Sequence, residues 1–303
     1  MIHTYTIPCF DLKQIAESGQ CFRMNLLTDG QIPVGRTPDG TGLGYRIISR
    51  GKVLKVWQKE QEVSFDCAED ELAFWMEYFD LETDYQAMID SVAAEDLYLT
   101  EAARAGKGIR ILRQDPWEMI ITFVISQQKT IPKIRELVEA LCTAYGTLMD
   151  GGEGQRLYAF PSPKELSRAS LEELQALKLG YRAKYIHRLC QDAVAGQLDL
   201  KQLAGMEYEG AMEYLTGFYG IGKKVANCVC LFGLHHIGAF PVDTWIEKIL
   251  MTQYYDKRKY RRTPKTCLCD TIIKNVFGRY GGCAGVMQQY IFYYERMRNS
   301  KLS

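Results

Sequence analysis

Between residues 42 and 67, apolar and polar side chains alternate along the chain. The runs GLGYRIISR (42–50), VLKVWQ (53–58) and EVSFDC (62–67) are rich in β-branched and aromatic residues. Gly51-Lys52 and a charged turn at Lys59-Glu60 separate these runs. A period of two, interrupted by turn residues, is typical of antiparallel strands. The pattern therefore predicts a short antiparallel sheet.

After Cys67 the apolar positions recur three and four residues apart, which is the spacing of one helix face. The change begins at AEDELAFWMEYF (68–79), where acidic residues occupy the first turn and suit the positive end of a helix dipole. Further on, Asp115-Pro116 opens a strongly apolar helix, and Ser170 with Glu173 forms a capping-box pattern. The rest of the chain is therefore predicted to be mainly helical.

These patterns predict an α+β protein with two parts. We expect a small N-terminal antiparallel sheet domain at residues 1–95 and an all-helical domain at residues 96–303. The segment GGEG at 151–154 is predicted to be a flexible break within the second part.

The composition fits a protein that is neither exported nor membrane-bound. The 303 residues are 47% hydrophobic, enough for one large core or two moderate ones, and no apolar run approaches the roughly 18 residues of a membrane span. The first ten residues do not resemble a signal peptide. We expect a cytoplasmic protein, associated with the nucleoid if it is bacterial.

Ten cysteines are scattered along the chain, which favours reduced thiols over a disulfide framework. Cys228 and Cys230, like Cys267 and Cys269, have one residue between them, which does not suit a zinc site. A C-terminal four-cysteine run suited to an iron–sulfur cluster is also missing from the sequence. No metal is expected.

The formal net charge of zero conceals an uneven distribution. Residues 1–100 contain 8 Lys and Arg against 17 Asp and Glu, whereas residues 101–303 contain 29 against 20. Only the second part has the excess of positive charge that suits phosphates. If no other feature indicated nucleic-acid binding, ordinary variation in composition along the chain would explain this uneven charge as well.

The most informative segment is LTGFYGIGKKVANCVCLFG, residues 215–233. Gly220-Ile221-Gly222 lies between two helical patterns, so it can turn the chain tightly and present backbone N–H groups to a phosphate. An ordinary glycine-rich helix connection is the alternative. About twenty residues later, Asp243 follows Phe240-Pro241-Val242 at the expected start of a helix, where simple N-capping is its ordinary role.

Together the two segments resemble the helix-hairpin-helix DNA glycosylase superfamily. Its members have this hairpin, a Gly/Pro-rich loop and an aspartate. The resemblance implies that Asp243 stabilises positive charge on the sugar as the base leaves. Lys224, two residues after the second hairpin glycine, is similar to the lysine of the bifunctional branch, which forms a Schiff base and cleaves the backbone. The resemblance also implies that Gly220 and Gly222 bind phosphate.

Further segments resemble the 8-oxoguanine DNA glycosylase family across nearly the whole chain. They are residues 18–23, 113–116, 179–185 and 283–285, with Gln288 and Phe292. The resemblance implies that the carbonyl of Gly19 accepts the N7 hydrogen found on 8-oxoguanine but not on guanine. It also implies that Gln288 contacts the Watson–Crick edge of an extruded base and Phe292 stacks on it.

Two helical spacings agree with that site. Gln288 and Phe292 are four residues apart, as are Lys224 and Cys228, so each pair shares one helix face. By resemblance, Cys228 faces the base beside Lys224 as an oppositely charged partner. An inert buried cysteine is its ordinary alternative. Lys223 projects about 100° away from Lys224, toward phosphate or toward solvent.

The contacts with the opposite strand follow the family only in part. The resemblance implies that Tyr181 wedges into the base stack and Arg182 contacts the orphaned cytosine. Gln128 and Lys133 stand where the family has an asparagine and an arginine, and lysine lacks the planar fork of arginine. Our hypothesis is that selectivity for cytosine opposite the lesion is weaker than is usual in the family. Trp245 also replaces a histidine.

The sequence therefore predicts a bifunctional glycosylase that excises 8-oxoguanine from duplex DNA and cleaves the abasic site. We expect it to act as a monomer on double-stranded DNA containing a damaged purine, without a cofactor. One alternative is a monofunctional alkylated-base glycosylase that uses only Asp243. A second alternative is a non-catalytic helix-hairpin-helix protein that only binds DNA.

Overall fold

The N-terminal part contains a five-stranded sheet. In the computed structural model, which describes residues 1–27, 43–151 and 155–300, the strands are β1 (Ile2–Thr6), β2 (Met24–Leu26), β3 (Leu43–Ser49), β4 (Lys52–Lys59) and β5 (Glu62–Asp66). They pair in the order β1-β5-β4-β3-β2, and every pair is antiparallel. The three strands predicted from the alternation are confirmed, whereas β1 and β2 were not predicted.

One face of the sheet packs on two short helices, α1 (Leu12–Glu17) and α2 (Leu72–Tyr78). The register brings Ile47 opposite Leu54, and both side chains are fully buried with Trp75 of α2 in one hydrophobic cluster. A single-turn 3-10 helix at Glu69–Glu71 leads into α2, so the acidic turn and the helix predicted after Cys67 are confirmed.

Helices make up most of the remaining chain. They are α3 (Tyr85–Asp90), α4 (Leu97–Ala105), α5 (Pro116–Ser126), α6 (Ile131–Tyr145), α7 (Pro163–Leu166), α8 (Leu171–Ala176), α9 (Arg182–Val194), α10 (Leu200–Ala204), α11 (Tyr208–Thr216), α12 (Lys223–Phe232), α13 (Thr244–Ile249), α14 (Lys257–Tyr260), α15 (Lys265–Val276) and α16 (Ala284–Ser300). A small hairpin, β6 (Leu148–Asp150) and β7 (Arg156–Tyr158), follows α6. The α+β fold class is thus confirmed.

Helix α5 lies at the centre of the helical part. All its residues from Trp117 to Ile125 are buried, including the polar Glu118 and Thr122, as expected for a mainly apolar helix at the centre of a core. It packs against α12, where Phe123 and Phe232 stack with ring centroids 5.5 Å apart. Because α12 carries the predicted lysine, the most buried helix of the protein supports the helix of the candidate site.

The predicted boundary signals are present. Asp115 caps α5 by accepting the amide N–H of Glu118 at 2.9 Å, and Ser170 with Glu173 forms a reciprocal capping box on α8. Of the predicted break at 151–154, residues 152–154 lie outside the described residues. Among the described residues, the helices are too short or too polar for any of them to cross a membrane.

Two hydrophobic clusters form the interior, one in each part. Leu112 joins the cluster of the sheet, whereas Phe22 and Tyr85 join the cluster of the helices. The chain therefore crosses between the two clusters more than once, and the division at residue 95 stays a prediction.

Candidate active site and nucleic-acid interface

A cavity of about 380 Å³ lies where α12, α16 and the segment after α1 meet. This volume is within the usual range for a pocket that holds a small organic molecule. Six predicted residues contribute to its lining: Gly19, Lys224, Cys228, Asp243, Gln288 and Phe292. Residues separated by more than 250 positions in the sequence are thus brought to one site.

Lys224 reaches the cavity from the first turn of α12. Its Nζ atom donates a hydrogen bond to Ser126 Oγ at 3.2 Å and lies 5.1 Å from the centroid of the Phe123 ring. Both partners belong to α5, so the packing of α5 against α12 also positions the amine. The hydroxyl and the ring are uncharged contacts, which leave the amine available to a substrate.

Asp243 combines the two roles considered for it. Its side chain caps α13 by accepting the amide N–H of Ile246 at 2.9 Å, and the same residue lines the cavity. Capping fixes the carboxylate through backbone geometry. The amine of Lys224 and the carboxylate of Asp243 therefore enclose the same space.

Cys228 lies one turn after Lys224 and is 3% exposed. Burial raises the pKa of its thiol above the usual value, and the nearby Lys224 opposes this shift only in part. Burial thus opposes the thiolate that an oppositely charged Lys–Cys pair requires, and the charge state of this pair stays a prediction.

Gln288 and Phe292 share one face of α16 and both reach the cavity. Gln288 is 3% exposed, and its Nε2 atom donates to the carbonyl oxygen of Pro241 at 3.3 Å. The Phe292 ring lies against Gly19, which has a φ of +80°; a Cβ atom added at Gly19 would come within 3.1 Å of Phe292 Cε1. A side chain at position 19 would therefore be strained and would press on the ring.

The segment carrying Gly19 is held by the neighbouring Gln20, which is fully buried. Its Oε1 atom accepts the amide N–H of Leu112 at 2.8 Å, and its Nε2 atom donates to the Arg110 carbonyl oxygen and to Ser18 Oγ, both at 2.8 Å. These bonds satisfy the buried amide and anchor the segment to the chain before α5. The backbone around Gly19 is thus preorganised.

Several lining residues were not singled out from the sequence as part of the pocket: Ser18, Phe22, Phe123, Ser126, Gln289 and Arg296. The guanidinium of Arg296 lies 5.6 Å from the centroid of the Phe292 ring and donates to the Glu17 carbonyl oxygen. A usable signal existed for Arg296, since it follows Phe292 by four residues on α16. Trp245, noted as a departure from the family, also lines the cavity and is 43% exposed.

The glycine hairpin lies outside the cavity, at the start of α12. Gly220 has a φ of +92°, and a Cβ atom there would lie 2.4 Å from Tyr185 Cγ, so only glycine fits. A Cβ atom at Gly222 would meet no described protein atom within 4 Å. Lys223 is 67% exposed and forms an ion pair with Asp270 at 2.5 Å. The hairpin therefore presents an open surface beside one lysine.

Tyr181 and Arg182 begin α9 and differ sharply in exposure. Tyr181 is 44% exposed, whereas Arg182 is 3% exposed and donates to the carbonyl oxygens of Leu179 and Gln127. Its guanidinium also lies 4.5 Å from the centroid of the Tyr181 ring. The Arg182 side chain therefore points into the protein and supports the loop beneath Tyr181, and its contact with an opposite base stays a prediction.

Gln128 and Lys133 lie on the loop between α5 and α6 and on the first turn of α6, respectively, and neither lines the cavity. Gln128 is exposed with a φ of +54°, and Lys133 forms an ion pair with Glu136 at 2.5 Å. The preceding Gln127 donates to the Gly220 carbonyl oxygen at 3.0 Å, which links this loop to the hairpin. Gln128 therefore lies on a loop that is bonded to the hairpin, and the contacts of Gln128 and Lys133 with the opposite strand stay predictions.

The described part of the chain contains no group of three or more His, Cys, Asp and Glu side chains arranged to hold a metal ion. Nine of the ten cysteines are at least partly buried, and all ten are free thiols.

Comparison with known proteins gives consistent matches for both parts. The profile of the 8-oxoguanine DNA glycosylase N-terminal domain matches residues 4–120, and that of the HhH-GPD superfamily of base excision DNA repair proteins matches residues 121–291. The N-glycosylase/DNA lyase of Saccharomyces cerevisiae is 33% identical over 72% of this chain and 64% of its own length. The N-glycosylase/DNA lyase OGG1 of Arabidopsis thaliana is 33% identical over 72% of this chain and 60% of its own length. The chain thus spans less than two thirds of these two relatives.

Among solved structures, the 8-oxoguanine glycosylase/lyase of Clostridium acetobutylicum, in complex with double-stranded DNA containing cytosine opposite 8-oxoG, superimposes with a TM-score of 0.84. It is 31% identical and the match covers 99% of this chain and 98% of that one. The profile matches, the relatives and this near-complete structural match agree with one another. The chain belongs to the 8-oxoguanine DNA glycosylase family of the HhH-GPD superfamily.

Proposed function

We propose that this protein is a bifunctional DNA glycosylase that releases 8-oxoguanine from duplex DNA and cleaves the resulting abasic site through a Schiff base on Lys224. One observation carries the proposal: the amine of Lys224 and the carboxylate of Asp243 line a single cavity. The reaction requires both groups beside one deoxyribose. A protein that only binds DNA requires neither.

The two groups act in sequence. As the glycosidic bond breaks, positive charge develops on the sugar and the carboxylate of Asp243 stabilises it. The unprotonated amine of Lys224 bonds to C1′, and the departing base takes up a proton. The C1′–O4′ bond then breaks, O4′ takes up the remaining proton of the amine, and an imine joins Lys224 to C1′. In this imine the C2′ hydrogen is acidic. Its loss as a proton breaks the bond from C3′ to oxygen, and the 3′ phosphate leaves.

The remaining lining residues bind the extruded base. Phe292 offers a flat ring for stacking, Gln288 offers an amide for the Watson–Crick edge, and the Gly19 carbonyl accepts the N7 hydrogen of the oxidised purine. Cys228 faces the base beside Lys224. Selectivity for the lesion thus comes from contacts made only when the base is outside the helix.

The outer surface holds the duplex. The backbone N–H groups at Gly220 and Gly222 and the ammonium of Lys223 bind phosphates, and Tyr181 fills the gap left by the extruded base. Arg182 acts by supporting the Tyr181 loop. We further propose that the protein works as a monomer in the cytoplasm and needs no cofactor, because the nucleophile is a side chain and the base is a stable leaving group.

The test uses a duplex containing one 8-oxoguanine, with base release and strand cleavage measured separately. We expect both activities, and borohydride should trap a covalent complex that Lys224→Gln abolishes. Lys201→Gln, at an exposed lysine of α10, is the matched control and should trap normally. On a second duplex that contains an alkylated base, base release without trapping would favour the monofunctional alternative. Salt-sensitive binding to both duplexes without any base release would favour the passive one.

A further inference from the structure

The base-binding end of the cavity contains a second amide, that of Gln289. This residue follows Gln288 on α16, lines the same cavity and is 3% exposed. Its Nε2 atom donates to Gln288 Oε1 at 2.9 Å, whereas its own Oε1 atom is buried without a hydrogen-bond partner among the residues that the structure describes. A buried acceptor without a partner is rare in a folded protein, and at a pocket wall it indicates a ligand.

The direction of these hydrogen bonds follows from the backbone. The carbonyl oxygen of Pro241 can only accept, so Gln288 must approach it with Nε2. Gln288 Oε1 then points to Gln289, which must donate with its own Nε2. Reversing either amide would bring two acceptors or two donors together. The free group at the end of the chain of bonds is therefore an acceptor, Gln289 Oε1.

We infer that Gln289 is a second base-recognition residue whose Oε1 atom accepts a hydrogen bond from the exocyclic 2-amino group of the extruded purine. This inference rests on the proposed function. The Watson–Crick edge of a guanine-type base carries two donors, the N1 hydrogen and the 2-amino group. Two neighbouring amide oxygens, one from Gln288 and one from Gln289, match that pair of donors.

This assignment predicts how the enzyme distinguishes two closely related lesions. 8-Oxohypoxanthine has the same N7 hydrogen and the same ring as 8-oxoguanine but lacks the 2-amino group. It would leave Gln289 Oε1 without a partner, and sites built to bind a donor discriminate against analogues that lack it. 8-Oxohypoxanthine pairs more weakly with cytosine and is therefore easier to extrude. Pairing strength alone would thus favour release of 8-oxohypoxanthine, whereas the contact with Gln289 favours release of 8-oxoguanine.

The experiment measures single-turnover release of each base from otherwise identical duplexes with cytosine opposite the lesion. Wild-type protein should release 8-oxoguanine at least about tenfold faster than 8-oxohypoxanthine, as expected for one lost hydrogen bond. Gln289→Met should reduce release of 8-oxoguanine by about the same factor and leave release of 8-oxohypoxanthine within about twofold. Gln253→Met, at an exposed glutamine outside this cavity, should keep the wild-type preference.

A substrate with a preformed abasic site provides the folding control, because its cleavage needs Lys224 but no base contact. Cleavage of this substrate by Gln289→Met shows that the variant is folded and that its Lys224 still reacts. Equal release of the two bases by the wild-type protein would overturn the inference about Gln289. Slowing of both bases to the same extent by Gln289→Met would also overturn it, because Gln289 would then act only by orienting Gln288. Release of neither base by the wild-type protein would instead refute the proposed function.

Discussion

A buried carboxyl group, Glu118, should make this protein less stable as the pH rises from about 4.5 to about 8. Glu118 lies on α5 and is 5% exposed. Burial raises the pKa of its carboxyl group from 4.5 to about 8; the positive charge of Arg23 opposes the shift, whereas the carboxylates of Asp115 and Glu139 add to it. The folded protein therefore keeps this proton at neutral pH, whereas the unfolded chain releases it.

The sign and size of the effect follow from proton linkage. Because the folded pKa lies above the unfolded one, the stabilising contribution is complete below pH 4.5 and is lost progressively up to about pH 8. The difference between the two pKa values corresponds to about 5 kcal/mol in the free energy of unfolding, of which roughly 3 kcal/mol is lost by pH 7. This is a large fraction of the total stability of a typical protein.

Glu118→Gln removes the titration while keeping the side-chain shape. We expect its free energy of unfolding, measured by urea denaturation, to rise relative to that of the wild type by roughly 1.4 kcal/mol per pH unit between pH 5 and pH 8. Glu172→Gln, at an exposed carboxylate on α8, is the matched control and should show no such change. A constant difference between Glu118→Gln and wild type across this range would refute the reasoning.

Three further predictions concern the hairpin, a buried ionic group and the opposite strand. Gly220→Ala should destabilise the protein by about 2 kcal/mol or more in urea denaturation, because the added Cβ atom overpacks against Tyr185 and the backbone there is strained. Gly222→Ala should leave stability nearly unchanged, because its Cβ atom meets no described protein atom within 4 Å. It should instead weaken DNA binding in a fluorescence anisotropy titration. Asp80→Asn should cost about 3 kcal/mol or more, since this carboxylate is 2% exposed and pairs with an arginine and a histidine; no loss in the melting temperature would contradict this. Because Gln128 and Lys133 replace the expected base-contacting groups, excision rates opposite the four bases should differ little, and a preference for cytosine of about 100-fold or more would end that hypothesis.

The parts of the site that were predictable from the sequence depend on local geometry. The spacing of Lys224 and Cys228 on α12 places both on one helix face, as does the spacing of Gln288 and Phe292 on α16. A capping position at Asp243 also follows from local signals. A spacing of four residues places two side chains on one helix face whatever the helix packs against, so each pair could be placed before the fold was known. Their roles in the site were implied by the resemblance to the family.

The parts that were missed depend on contacts between distant segments. Strand β2 has only three residues and exists because β3 pairs with it, so its own sequence carries little pattern. Arginine is usually found at the surface. The burial of Arg182 depends on a hydrogen bond to the carbonyl oxygen of Gln127, 55 positions earlier in the sequence. Gln289 was not noticed because adjacent residues on a helix usually point in different directions. Its proposed role rests on its buried Oε1 atom without a hydrogen-bond partner, which can be seen only in the structure.

The hydrogen bond from Gln288 to Pro241 connects recognition with chemistry. Pro241 precedes Asp243 by two residues, so the amide that we propose contacts the base is also bonded to the loop carrying the carboxylate. A base that matches both amides leaves this bond in place. A base that pulls Gln288 away disturbs the loop at the moment when the carboxylate must stabilise the sugar. Misplacing a catalytic group by about 1 Å can cost about 100-fold in rate. Under the proposed function, we therefore expect a wrong base to be disfavoured in the chemical step as well as in binding.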